Sequence, residues 1–136
     1  MADLRPLTPG APGAPGTPAA QAAPGGILLE QGRGRVTVRS GGLLLADSRR
    51  PVVVLEGHHP VRYYLPPEDV HRGLLVPSWE STYCPYKGAA VHYALAPDGG
   101  EAVAWSYPDP LPGMEALAGL IAFYQERVQL AVEPSG

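Results

Sequence analysis

The sequence predicts an α+β domain in which sheet dominates. Three observations carry that expectation. From Ile27 onward, short runs with two-residue alternation or β-branched clusters recur between turns marked by Gly and Pro. Only one longer stretch, near the C-terminus, has the spacing of an amphipathic helix. The strand–helix alternation of a doubly wound parallel sheet is missing, and so is a Gly-rich phosphate loop.

The elements follow in order. "RPLTPGAPGAPGTPAAQAAPGG", residues 5 to 26, has no large apolar residue after Leu7. It has too little apolar surface to offset the cost of ordering, so residues 1 to 26 are expected to form a disordered Pro/Gly/Ala-rich tail. Residues 27 to 136 are then a single domain. "GRVTVRSGGLLLADSRR" reads as two short strands across a Ser40–Gly41–Gly42 turn, with Val36 and Val38 on one side and Thr37 and Arg39 on the other. In "PVVVLEG" three β-branched residues in a row predict a strand buried on both faces. "VRYYL" resumes as a strand beyond His58–His59–Pro60. "PPEDVHRGLL" predicts a short helix: Pro67 suits its first position, Glu68 and Asp69 its N-terminal dipole, and Gly73 its end. "AAVHYALA" and "EAVAWSY" predict a hairpin across Pro97–Asp98–Gly99–Gly100. In "GMEALAGLIAFYQERVQLAVE" Leu117, Leu120, Ile121, Tyr124 and Val128 fall on one helical face, which predicts a C-terminal amphipathic helix.

Charge and cysteine usage narrow the function. The chain of 136 residues has a formal net charge of −3 and a pI near 5.7, against nucleic acid as a partner. Arg33, Arg35, Arg39, Arg49 and Arg50 make a local basic cluster, but no aromatic is interleaved with it, so it reads as exposed strand and turn surface. The start lacks the basic and apolar segments of a signal peptide, and no apolar run reaches membrane-spanning length. A cytoplasmic protein without a membrane partner is expected. The single cysteine excludes an internal disulfide and a zinc site of paired Cys-x-x-Cys type.

Three segments in this order, "RPVVVLEGHHPVRYYLPPEDVHRGLLVPS", "TYCPYKGAAVHY" and "AVAWSYPDPLPGMEALAGLIAFYQERV", resemble the bacterial domain-of-unknown-function family numbered 427. The resemblance covers about residues 33 to 131. It implies a β-tent-like pair of small antiparallel sheets, with the short helix and the C-terminal helix added. That architecture is shared with methionine-R-sulfoxide reductases, a Rab exchange factor and the drug-binding domain of cereblon. Such relatives often hold zinc with two Cys-x-x-Cys knuckles, which this chain lacks, so packing and the C-terminal helix are expected to hold it together. The family also carries a nucleotidyltransferase-like label in some catalogues. The residues here show neither paired catalytic aspartates on a strand nor a Gly-Ser nucleotide turn.

Candidate chemistry centres on "TYCPYKGAAVHY", residues 82 to 93. Pro85 fixes one backbone angle and Gly88 frees another, so a tight turn feeding a strand is expected. The lone Cys84 has two readings. An ammonium at Lys87 would favour its thiolate, with His92, His58 or His59 as a base; as a buried thiol it would be a small apolar filler. Tyr and Trp join a flat apolar face to a polar handle, which suits a ligand pocket. The first functional expectation is therefore a small-molecule-binding site lined by Trp79, Tyr83, Tyr93, Trp105 and Tyr107. There Lys87, Gly88 and Arg62 would orient a polar or anionic ligand. The alternative is a small enzyme using Cys84 or Lys87 in covalent or acid–base chemistry. The exposure of the Cys84 sulfur separates them. No cofactor is expected. A metal site would have to combine His92 with Glu80 or Cys84, and none is expected.

Overall fold

The structure, a computed structural model, describes residues 26–134. The proposed N-terminal tail lies outside the described residues apart from Gly26. Ten strands follow: β1 (Ile27–Gln31), β2 (Arg35–Ser40), β3 (Leu43–Ser48), β4 (Val52–Glu56), β5 (Arg62–Leu65), β6 (Leu75–Cys84), β7 (Gly88–Leu95), β8 (Ala102–Ser106), β9 (Ile121–Phe123) and β10 (Gln129–Glu133). They form a seven-stranded sheet in the order β1-β4-β5-β9-β8-β7-β6 and a three-stranded sheet in the order β10-β2-β3. All pairs within both sheets are antiparallel.

The β2–β3 hairpin turns at Gly41–Gly42, and its Val36 and Val38 are fully buried. They pack with Leu45 and Ala46 against Leu65, Val103, Ala104, Ile121 and Phe123 of the larger sheet. The small sheet thus covers one face of the large one. On β2 Arg35 and Arg39 alternate with the buried valines, and the Arg35 guanidinium grips Asp47 at 2.9 and 2.7 Å; Arg50, beyond β3, reaches Glu68 at 3.0 Å. The opposite face of the large sheet gathers Ile27, Leu29, Val52, Val54, Tyr64, Trp105 and Tyr107, with Met114 and Leu117 supplied by the β8–β9 connection. Val52 and Val54 are buried in this cluster while Val53 is half-buried, so β4 is less enclosed on its second side than its three valines suggest.

The predicted C-terminal helix does not form. Residues 113 to 133 hold a single 3-10 turn (Glu115–Leu117), β9 and β10, and the described residues contain no longer helix there. Two causes explain the difference. Gly119 adopts φ +75°, a left-handed conformation that interrupts any helix across it. The apolar stripe also mixes residues of two cores. Leu117, Leu120 and Tyr124 pack on one face of the large sheet, whereas Ile121 and Val128 pack beneath the small sheet. β9, at the centre of the large sheet, is flanked by β5 and β8 and buried on both sides, so Ile121–Ala122–Phe123 is uninterruptedly apolar. The short helix of 66 to 75 is likewise reduced, to two 3-10 turns, Pro67–Asp69 and Arg72–Leu74. No helix among the described residues is long and apolar enough to cross a membrane.

Candidate functional site

Strand alternation decides which side chains meet. Residue pairing runs from Val52 to Tyr64, from Tyr64 to Ala122, from Ala122 to Trp105 and from Trp105 to His92. Directly paired residues point to the same side of a sheet, as do residues two apart along a strand. Val54, Glu56, Arg62, Tyr64, Tyr124, Trp105, Tyr107 and His92 therefore belong to one face, the face away from the small sheet. On a flat sheet Lys87, before His92, and Glu56, beyond Val52, would lie toward opposite ends. Yet Lys87 Nζ lies 2.6 Å from Glu56 Oε1, so the sheet is strongly coiled and this face is concave.

The concavity is a cleft of about 210 Å³. Val54, Tyr64, Trp105, Tyr107 and Tyr124 form its walls, and His59, Pro60 and Thr82 complete the lining. Ala122, between Tyr64 and Trp105 in the pairing, is fully buried in the cluster behind these walls. The wall is cross-braced: Trp105 Nε1 donates to the Tyr64 hydroxyl at 3.0 Å, with the two rings edge to face.

Polar groups sit at fixed points on this surface. Lys87 is 6% exposed, and its ion pair with Glu56 offsets the cost of burying the ammonium. Gly88 allows the turn to close against the β8–β9 connection. It takes φ +116°, and a Cβ there would come within 3.4 Å of the Asp109 carbonyl oxygen. The Lys87 carbonyl meanwhile accepts the Leu111 N–H at 2.9 Å. His92 Nε2 lies 2.9 Å from Thr82 Oγ1, and Nδ1 lies 3.4 Å from the Tyr124 hydroxyl. Burial, reinforced by the charge of Arg127 and opposed by Glu80, holds this imidazole below its ordinary pKa. Burial pushes the Tyr107 phenol up to about 12 and raises those of Tyr64 and Tyr124 as well. Near neutral pH the phenols are therefore uncharged donors and the imidazole is neutral. Arg62 lays its guanidinium 5.2 Å from the centre of the Trp105 ring and 5.9 Å from that of Tyr124.

Of the residues singled out from sequence, the structure brings Arg62, Lys87, Trp105 and Tyr107 into this cleft. The others lie elsewhere. Tyr93 follows His92 and so points to the other face, where it packs on the small-sheet core. Tyr83, adjacent to Thr82, is turned outward by the same alternation and is 66% exposed. Trp79, in the irregular stretch of β6 where pairing with β7 shifts, is 93% exposed. Gly88 shapes the turn without lining the cleft. Cys84 is half-buried against the cluster containing Tyr107 and is not part of the cleft wall. Sequence reasoning did not assign Glu56, Tyr64, Thr82, His92 and Tyr124 to the pocket. Pairing β7 with β8 would have placed His92 beside Trp105, but Glu56 is reached only through the coiling of the whole sheet.

The chain matches the model of a domain of unknown function, DUF427, over residues 28–134. It belongs to that family. No curated protein matches it. In this DUF427 domain the match takes in β2 to β10 and all but the first residue of β1, so every residue of the cleft falls within it.

Proposed function

We propose that the cleft binds a small organic molecule through its aromatic walls and a few fixed polar groups. The observation that carries this reading is the composition of the concave face. Four of its walls are Tyr or Trp side chains, and Arg62, the Lys87–Glu56 pair and His92 open onto the same space. Ligand sites combine apolar walls with a small number of oriented polar groups, and the about 210 Å³ available is less than the ~300 Å³ of drug-sized pockets. A metabolite-sized occupant fits. The position of Cys84 outside the wall favours binding over thiol chemistry as the role of this face.

The two tryptophans supply the test. Trp79 is exposed and Trp105 is in the cleft, so Trp79→Phe leaves Trp105 as the sole indole reporter. Titrating that variant with amino acids, sugars, nucleosides and small organic acids is expected to give a saturable change in emission with at least one class. The same compound should raise the melting temperature, since a ligand at a hundred times its Kd adds about 2.7 kcal/mol. Emission and melting temperature that stay fixed across the whole panel would sink the proposal.

A further inference from the structure

We propose that the ligand is a small organic carboxylate and that Arg62 receives its carboxylate group. The inference rests on the binding reading above and names the chemistry of that same site. Lys87 is neutralised at 2.6 Å by Glu56, and the burial-depressed imidazole of His92 brings no charge near neutral pH. Arg62 is different. Its ion-pair partner among the described residues, Glu126, is 3.4 Å away with a side chain 59% exposed, so water screens the attraction. The cleft therefore presents close to one net positive charge, and it belongs to Arg62.

Donor geometry points the same way. Both side-chain hydrogen bonds of Arg62, to Gln125 at 3.3 Å and to Glu126 at 3.4 Å, come from Nη1. Nε and Nη2 have no protein acceptor among the described residues, and no buried side-chain nitrogen or oxygen there lacks a partner. Neither atom is therefore wholly buried, and the Nε–Nη2 edge is left without a partner among the described residues. That edge carries two parallel N–H groups, matched to the two oxygens of a carboxylate. Trp105 and Tyr124 meanwhile engage the guanidinium electrostatically and restrict its motion without using its edge donors. A monoanion suits this balance better than a phosphate ester, which carries about −1.5 to −2 near neutral pH and would face the Glu56 carboxylate across a small cleft.

The probes are benzoate and benzamide, which share a ring and nearly a shape but differ in charge, with phenyl phosphate as a third. In the Trp79→Phe protein benzoate is expected to give a saturable emission change at least about tenfold tighter than benzamide. Arg62→Lys keeps a charge but not the fork, and is expected to weaken benzoate by about tenfold and benzamide by clearly less. Equal affinities for benzoate and benzamide would overturn the inference and leave the binding reading standing. So would tighter binding of phenyl phosphate, or a benzoate affinity indifferent to Arg62→Lys. A panel that contains binders, yet shows no response to benzoate at about 10 mM, overturns it in the same way. Silence from every compound overturns both. The benzoate–benzamide comparison uses no Arg62 variant, so it decides even where Arg62→Lys folds poorly.

Discussion

The two faces of the seven-stranded sheet share the same strands and differ in almost everything else. Beneath the small sheet the buried cluster is Val, Leu, Ile, Ala and one Phe. On the concave face the same strands contribute Glu56, Arg62, Tyr64, Trp105 and His92 beside their aliphatic neighbours. In β5 the alternation assigns Arg62 and Tyr64 to the cleft and Leu65 to the dry core; in β9 Ala122 faces one way and Phe123 the other. Polar groups on one face need hydrogen bonds or ion pairs to be tolerated there, and aliphatic packing on the other supplies stability without directional demands. The fold thus separates dry packing from the lining of the cleft, residue by residue along each strand.

The sharpest way to break that comparison is at neighbouring positions. Phe123 is 1% exposed and its truncation leaves a cavity between the two sheets, so Phe123→Ala is expected to cost about 3–5 kcal/mol of unfolding free energy. Tyr124→Ala, one residue on and half-buried at the cleft wall, should cost clearly less while altering Trp105 emission, since the two rings are 4.4 Å apart. Urea midpoints of both variants check this. Phe123→Ala costing no more than Tyr124→Ala would refute the division of labour.

That division also explains what the sequence makes legible. The β2–β3 and β7–β8 hairpins are local, and their turns and alternation are visible in Gly41–Gly42, Val36, Val38 and the segment from Ala89 to Tyr107. Trp105 and Tyr107 are recognisable as one face because they are two residues apart on a strand. The C-terminal segment misleads because residues bound for two cores alternate at spacings that also suit a helix, and only Gly119 signals the break. Tyr83 and Tyr93 look like pocket residues by type, but their strand parity puts them on the wrong side. Glu56 is out of reach of any local argument, because its partner Lys87 comes from the β6–β7 turn at the other side of a coiled sheet.

That long-range pair offers the next test. Glu56→Ala leaves the Lys87 ammonium, with a side chain 7% exposed, without its 2.6 Å partner. The expected loss is about 1–3 kcal/mol, below the full cost of breaking a wholly buried pair because Glu56 is partly solvated. Glu56→Leu combined with Lys87→Met should recover much of that loss, since removing both charges also removes their desolvation cost. A double variant no better than the sum of its single changes would show that the pair is not coupled across the cleft. On the dry face no such recovery is expected, because a truncation there leaves a cavity that a second truncation only enlarges.

The smallest expected effect is the most specific to the concave face. His92 is 4% exposed, and burial depresses its pKa when folded, whereas in the unfolded chain it titrates near the ordinary ~6.5. Between the folded value and about 6.5 the unfolded state binds more protons, so stability rises with pH across that window. The contribution of His92 is therefore complete above about pH 6.5 and is lost as pH falls through the folded pKa. The groups acting on the ring are Thr82 and Tyr124, which are neutral there, and Arg127 and Glu80, which oppose each other. Asp47, held low by Arg35, and Glu68, held low by a backbone hydrogen bond and then by Arg50, are lowered further from this window. Melting temperatures of the parent and of His92→Gln between about pH 8 and pH 5 should diverge, with the parent falling more steeply below about 6.5. Phe123→Ala, on a face whose buried cluster has no histidine or carboxylate, should instead lower the curve without changing its slope across that range. Parallel curves for parent and His92→Gln, or an imidazole proton resonance that titrates at or above 6.5 in the folded protein, would place His92 in water and undo the contrast between the two faces at its most polar point.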